Sequence, residues 1–404
     1  MTRAMLTAIL FASPPPPGSA SALTVGGMTV LDRQIRLVRQ AGAGRVCVVG
    51  GAGPDGVADA AALALLIGGT GDVLMLDPGV ILDERIVRAV VAATAPTIAT
   101  WPAGRGTERI DTATTAAGIA LYPAELVRAT AAGLGDWDLA ATLLRTALAA
   151  GAARVDLAAV PLYDAGRERD VPLVWALPDE ADSAAEATTA LLAGGWAARP
   201  GWPARFVYPP VEEALVRLLL PLSIPADAVT GATLALALGA GAAFAAGWLW
   251  TGLTAALLCG PLAGVAALLA RTRVEATRLG RAGAVVAVAD YGWYAALGAH
   301  FAATGHEGAW PITALVAGFA LATSEQGAFV RRLSGRPLTA AGAVERNLAL
   351  FGAGRDTRLW ALLPFAAAGL WYAGVAVLAA YTAATFFAVQ RRSFIRLGAS
   401  PSAR

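Results

Sequence analysis

Lysine is missing from this chain of 404 residues: every one of its 31 basic side chains is arginine. Without a lysine amine there is no Schiff-base chemistry, and phosphate binding falls to guanidinium groups and backbone amides. Cysteine is scarce as well. Cys47 and Cys259 lie far apart, so neither a disulfide nor a metal cluster is expected. The two histidines, His300 and His306, lack metal-like spacing and read as interfacial or solvated. Charge is sparse: 15% of residues are charged and the formal net charge is +2, too small a balance for a nucleic-acid partner. A secretory leader is not expected, because the apolar run 5–11 is short and is followed by the prolines Pro14 to Pro17.

What is abundant is apolar. Hydrophobic residues make up 57% of the chain, and the mean hydropathy is +0.59, beyond the range of an ordinary soluble protein of this length. The excess sits after residue 224. The heavy use of Ala and Arg reads as the habit of a GC-rich genome.

Up to about residue 200, short apolar runs alternate with helical stretches, the pattern of an α/β domain with an open, mostly parallel sheet. Strands are expected at 8–11, 45–49, 73–76, 97–101, 118–122 and 171–177. Helical periodicity covers 30–41, 83–93, 123–132, 137–150 and 182–192. Ligands of such sheets bind beyond the carboxyl ends of the strands.

The remainder holds stretches long enough to span a bilayer, which takes about 20 residues. Six are expected, at 227–248, 251–270, 282–303, 309–325, 358–372 and 373–390, with Gly369 or Gly374 marking the turn inside the last long run. Arginine distribution agrees. Arg271, Arg273, Arg278 and Arg281 fall between the second and third spans, and Arg331, Arg332, Arg336, Arg346, Arg355 and Arg358 between the fourth and fifth. Arg391, Arg392, Arg396 and Arg404 follow the sixth, while the opposite loops carry none. By the positive-inside rule, both termini and the α/β domain face the cytoplasm. The segment 205–223 joins the halves. Its Glu212, Glu213 and Arg217 share one helical face, opposite Leu215, Leu218 and Leu219, as in a helix lying on the membrane surface.

Within the second span, Ala263-Gly-Val-Ala-Ala-Leu-Leu-Ala-Arg271 is followed after eight residues by Gly280, then Ala284 and Val288. This spacing resembles the CDP-alcohol phosphotransferase signature, D-x-x-D-G-x-x-A-R, eight residues, G-x-x-x-D-x-x-x-D. Ala270, Arg271 and Gly280 match, whereas Ala263, Ala266, Ala284 and Val288 occupy the four aspartate positions and Ala267 that of the first glycine. Ile224-Pro-Ala-Asp-Ala-Val-Thr230 is similar to the family's I-T-P-N-x-V-T turn, with Asp227 for Asn and the proline one position early. Arg355-Asp356 before the fifth span also matches.

The whole chain resembles bifunctional proteins that fuse a nucleotidyltransferase to such a transferase, as in the inositol-phosphate cytidylyltransferase/di-myo-inositol-phosphate phosphate synthase family. Residues 29–42 and 45–50 resemble the helix and strand after a nucleotidyltransferase's nucleotide loop. The loop itself departs: Leu10 to Gly18 carries four prolines in place of L-A-A-G-x-G-x-R, which removes backbone donors and the basic side chain. Asp77 stands near the place of a metal-binding aspartate, with Asp179 near that of its partner, and the domain is read as inactive.

The resemblance thus implies a nucleotidyltransferase-like α/β domain over 1–200, a linker and juxtamembrane helix over 201–225, and an all-α six-helix transmembrane domain over 226–404. Phosphoalcohol transfer needs metal and a base, yet only seven acidic residues follow Ala226, and Asp290 alone sits inside a span rather than at its end. A buried carboxylate marks a functional candidate, which here either pairs with a nearby arginine, hydrogen-bonds Tyr291, Trp293 or Tyr294, or serves a ligand. The expected protein is a pseudoenzyme of phospholipid or phosphoinositol-lipid synthesis in the inner (plasma) membrane of a bacterium, with Ala270, Arg271, Gly280, Arg281 and Arg355 contacting substrate. Membrane lipids, a CDP-alcohol, and a homodimer or a heterodimer with an active paralogue are its expected partners. The alternative is an active transferase using Asp290 and Asp356 with Mg²⁺ or Mn²⁺. A transporter would need more polar residues through the bundle.

Overall fold

The computed structural model describes residues 6–12, 23–134, 138–199, 201–275 and 280–398, without the side chains of 280–287, 341 and 397–398. Two compact units divide the chain. The first comprises Met1–Asp164, Asp170–Trp196 and Arg271–Ala276, and the second Ala165–Arg169, Ala197–Ala270 and Thr277–Arg404.

The first unit is an α/β domain. Its sheet contains β1 (Leu6–Phe11), β2 (Ala43–Val49), β3 (Gly56–Val57), β4 (Asp72–Leu76), β5 (Thr97–Pro102), β6 (Glu108–Arg109), β7 (Thr114–Pro123) and β8 (Ala153–Asp156). The order is β8-β5-β7-β4-β1-β2-β3, with β6 paired to β7. All neighbours along this path run parallel except β7, which is antiparallel to both β4 and β5. Helices α1 (Val30–Gln40) and α3 (Glu84–Ala92) cover one face, and α2 (Ala60–Leu66), α4 (Ala124–Ala132) and α5 (Leu139–Ala149) the other; α6 (Ala181–Gly195) follows the sheet.

Burial on both faces explains the uninterrupted apolar runs. In β4, Leu74 and Leu76 join the core on one side while Val73 and Met75 join the other. The helices begin where side-chain oxygens satisfy free amides: Thr29 accepts from Asp32 N, Asp59 from Ala62 N and Asp138 from Ala141 N. Because β2 and β4 flank β1 on opposite sides, the chain's direction across the sheet switches at the carboxyl ends of β1 and β4. Ala12 and Asp77 follow directly there.

One expected strand is corrected. Of 171–177 only Trp175–Ala176 is extended, paired with Ile81–Leu82 away from the main sheet, and the sheet's edge is instead β8. Pro172 and the short run leave this segment without a place in the main sheet, whereas Ala153–Asp156, too polar to read as a strand, gains one beside β5. Helix α2, all Ala and Leu, was not anticipated.

The second unit is helical: α7 (Tyr208–Leu219), α8 (Ala226–Ala245), α9 (Leu249–Thr272), α10 (Gly280–Ala303), α11 (Ala309–Ser334), α12 (Ala343–Phe351), α13 (Arg355–Ala367) and α14 (Trp371–Gly398). Among the described residues, three stretches are long and apolar enough to cross a membrane: Ala226–Ala245, Leu249–Thr272 and Trp371–Arg396. The core is built from small residues and aromatics, including Ala237, Ala240, Phe244, Trp293 and Phe301. Close helix approach follows: the Trp293 indole donates to the Ala237 carbonyl at 2.8 Å. Large apolar side chains also point outward, among them Leu238, Leu258, Leu321, Val377 and Phe387.

The expected fifth span is corrected in length. Helix α13 has 13 residues with Pro364 inside it, a rise of about 20 Å against roughly 30 Å of bilayer hydrocarbon. Gly369, with φ of 73°, makes the turn to α14. Gly374 lies within α14, where a Cβ would come within 2.6 Å of the Phe365 Cβ, so its missing side chain lets α13 pack close. The face expected of the juxtamembrane helix is corrected too: α7 buries Tyr208, Glu212 and Val216 and exposes Val211 and Leu218.

Candidate functional site

The inward turn of Glu212 is the first sign of a polar centre inside the helical unit. Its carboxylate is fully buried and pairs with Arg199. Room comes from Gly264 on α9, where a Cβ would overlap Glu212 Oε1 and approach Arg199 Nη2 within 2.7 Å. One turn earlier, a Cβ on Gly260 would meet the Tyr208 ring at 2.7 Å and Asp356 Oδ1 at 2.9 Å. The two glycines therefore let α7 and the first turn of α13 close on α9.

Helix α13 starts at the glycine pair Gly352 and Gly354, with Arg355, Asp356 and Arg358 in its first turn. Arg355 Nε lies 2.7 Å from Asp290 Oδ2 on α10, without the alignment of a hydrogen bond, and its guanidinium sits 5.5 Å from the Trp293 ring centre. Tyr208 lies beside the Asp356 carboxylate, both against Gly260, and accepts from the Trp360 indole at 3.1 Å. Arg358 is buried; Nε donates to the Tyr294 hydroxyl at 2.9 Å and Nη1 to the Ala353 carbonyl at 2.7 Å.

Three carboxylates, Glu212, Asp290 and Asp356, thus face three guanidinium groups, Arg199, Arg355 and Arg358, and their formal charges cancel. Neutrality makes burial of six charges tolerable in an apolar bundle. Hydrogen bonding is less complete: Glu212 Oε1, Asp290 Oδ1, Arg355 Nη2, Asp356 Oδ1 and Thr357 Oγ1 are buried without a protein partner. Such a mixture of donors and acceptors suits a ligand with both anionic and hydroxyl groups.

Asp290, Arg355 and Asp356, singled out from sequence, therefore come together. Ala270 and Gly280 carry no polar side chain that could join them. Ala270 is half-buried near the end of α9, Gly280 opens α10, and the side chain of Arg281 lies outside the described residues, as does Arg278. Arg271 belongs to the first unit and donates to the Gly195 carbonyl at 3.0 Å. Arg273, on the arginine-rich stretch after the second span, is buried 3.7 Å from Glu275.

Of the positions aligned with motif aspartates, Ala266 is buried, Ala263 half-buried and Val288 66% exposed; the Ala284 side chain lies outside the described residues. Asp290, two residues on, is 5% exposed, as the helical rotation of roughly 200° requires. An aspartate at 288 would point away from the polar centre.

Arg199, Tyr208, Glu212 and Arg358 were not recognised from sequence as members of this centre. The usable signal was the four-residue spacing of Tyr208, Glu212, Val216 and Leu220, which places one carboxylate on an otherwise apolar stripe.

At the sheet's carboxyl edge in the first unit, a cavity of about 270 Å³ is lined by Asp77, Thr107, Glu108, Tyr122, Asp138 and others. Thr107 donates to Asp77 at 2.7 Å. Burial pushes the Asp77 carboxyl above its usual value, the Thr107 hydrogen bond opposes this, and Asp138 and Glu108 add to the rise. Phosphate would meet an acidic wall here. Asp179 is exposed and bonded to Ser183 within the α6 cap. The proline loop after β1, at 13–18, lies outside the described residues. Among the described residues, no group of three or more His, Cys, Asp or Glu could hold a metal ion. Both cysteines are free and buried.

A scan against protein-family models and a search of curated proteins found no match to this chain.

Proposed function

We propose that this chain is an integral membrane protein of the CDP-alcohol phosphotransferase type, joined to a nucleotidyltransferase-like domain, that binds its ligand without metal-dependent phosphoalcohol transfer. The observation carrying this reading is the engagement of Asp290 by Arg355. A carboxylate neutralised by a guanidinium is a poor metal ligand, and the aspartate positions of the signature hold Ala263, Ala266, Ala284 and Val288.

Membrane insertion with six passes is supported by the two ends of the helical unit. Trp250 and Trp371 rings stand 5.4 Å apart, Phe301 and Tyr372 5.4 Å, and His306 and Tyr372 4.5 Å. These contacts gather the loops α8–α9, α10–α11 and α13–α14 into one aromatic end, the composition of a membrane interface. Arginine is absent from those loops and concentrated in the others, so the arginine-bearing side is read as cytoplasmic and the membrane as the inner membrane of a bacterium. The outward position of Val288 is a departure from the family pattern. The resemblance therefore leans on helix order, the turn at Ile224 to Thr230, and Arg355-Asp356.

A working transferase with a rearranged site is the second reading, favoured by the convergence of Asp290 and Asp356. One assay separates the two: CMP release from CDP-alcohols by the purified full chain with Mg²⁺ or Mn²⁺. No release above background is expected, together with a CDP-alcohol-dependent rise in thermal stability that Arg355→Gln removes. Metal-dependent turnover lost in Asp290→Ala overturns the pseudoenzyme. The partner on this reading is an active relative, in a heterodimer, or a second copy.

A further inference from the structure

Between α12 and α14 the helical unit carries an open groove of about 440 Å³, remote from the charges around Asp290 in its chemistry. Its lining includes Val344, Leu348 and Phe351 on α12 and Tyr381, Ala384 and Ala388 on α14. On α12 these positions follow the three- and four-residue spacing of a single helical face, and on α14 likewise. The groove is mostly apolar, with Asn347, Thr385 and the Tyr381 hydroxyl the polar groups of its lining. Phe351 and Val344 remain 62% and 51% exposed at its margin, a large apolar surface with no protein covering it.

One end of the groove is charged. Glu345 on α12 is fully buried between Arg392 and Arg396 of α14, with Glu345 Oε1 2.6 Å from Arg392 Nη2 and 3.0 Å from Arg396 Nε. This clamp fixes α12 against α14 and neutralises the carboxylate. Arg391, one turn beyond Ala388, is exposed beside it. At the other end, Tyr381 donates to the Phe351 carbonyl, which closes the slot where α12 ends. The groove thus has an apolar trough and a cationic mouth.

We infer that this groove seats one membrane phospholipid with an anionic head group, its acyl chain along Leu348, Phe351, Tyr381 and Ala384 and its phosphate at Arg391. Three observations select a lipid over a second copy of the chain. The trough adjoins α14, one of the three helices apolar and long enough to cross a membrane. Its lining is mostly apolar while its mouth is cationic, which complements an acyl chain ending in a phosphate. Finally, basic pockets between helices on the cytoplasmic side are where anionic head groups bind, and the arginines of this region are on that side by the positive-inside rule.

The inference rests on the membrane reading of the helical unit but not on the loss of catalysis. The test uses the full chain purified in mild detergent, with phosphatidylglycerol or phosphatidylcholine added and retained lipid counted by native mass spectrometry. Retention of one phosphatidylglycerol per chain in preference to phosphatidylcholine is expected. Arg391→Gln should reduce that preference about fivefold, the worth of one arginine at a lipid surface. Ala388→Trp should abolish retention of both lipids by filling the trough, while Arg332→Gln should change neither. Equal head-group retention in the Arg391→Gln and unaltered chains overturns the inference even if Ala388→Trp fails to fold. So does a dimer that Ala388→Trp dissociates while lipid retention persists. Flotation with vesicles is run alongside: a chain that does not float refutes the membrane reading itself, whereas one that floats but retains no lipid refutes only the seat.

Discussion

Each unit buries an arginine–aspartate pair, and the two pairs are finished differently. In the α/β unit, Arg85 is saturated: Nε and Nη2 bond Asp83 at 3.0 and 2.9 Å, Nη1 bonds the Leu162 and Val171 carbonyls, and Nη2 also reaches the Pro172 carbonyl. This pair ties the segments at Leu162 and at Val171–Pro172 to α3 and leaves nothing for a ligand. In the helical unit, Arg355 meets Asp290 at 2.7 Å, yet Arg355 Nη2 and Asp290 Oδ1 lack partners. Saturation marks a structural pair, and unspent hydrogen-bonding capacity marks one available for binding.

The largest effect expected from this contrast comes from breaking the pairs. Arg85→Ala should destabilise the α/β unit by about 3–5 kcal/mol, because Asp83 stays buried without its cation. Arg355→Ala should cost less, about 1–3 kcal/mol, the penalty of leaving a buried acceptor unsatisfied, because Arg358 still faces Asp290. Hydrogen exchange resolved by peptide reads each unit separately, since two units need not unfold together. Equal losses in the two variants would dissolve the distinction between a saturated and an unsaturated pair.

A smaller effect is expected where the polar centre depends on close packing. Gly264→Ala would drive a methyl group into Glu212 Oε1, and overpacking of this kind costs about 1–3 kcal/mol. Thermal unfolding in detergent checks it. Gly292, whose added Cβ meets nothing within 4 Å, provides the control: Gly292→Ala should be neutral or slightly stabilising.

Acid titration should give the smallest effect, with opposite signs in the two units. Arg396 and Arg392 hold the Glu345 carboxyl down to about 2. Its contribution is therefore complete above the unfolded value near 4.3 and lost as pH falls through about 2. Asp77 is shifted upward by burial, so its protonated form favours the fold. That contribution is present below the ordinary carboxylate value and disappears as pH rises through the raised one. Exchange rates corrected for intrinsic pH dependence should show α12 loosening toward pH 2 while the end of β4 does not. Loosening of both together would refute the assignment of opposite shifts.

Much of the fold was legible. Apolar runs such as Val73 to Leu76 announced strands buried on both faces, and the periodicity of 30–41 and 137–150 announced α1 and α5. Strand β8 was not legible, because Ala153–Asp156 owes its conformation to pairing with β5 rather than to its own residues. The candidate site was half legible. A lone Asp290 in an apolar run, and Arg355-Asp356 ahead of another, are conspicuous in any bilayer-spanning sequence. Glu212 misled, since its neighbours Glu213 and Arg217 made the polar face of α7 look solvated.

Composition and periodicity alone determined that this protein has an α/β half and an apolar helical half, and where its arginines fall along the chain. They operate through local rules: strand and helix periods, capping, and the expense of charge in apolar surroundings. Only the tertiary structure decided that Glu212 turns inward, that Val288 turns outward, and that Asp290 is matched by Arg355 from a helix 65 positions later. Pairing of buried charges depends on which helices meet and on where glycines let them approach. No local pattern contains that information.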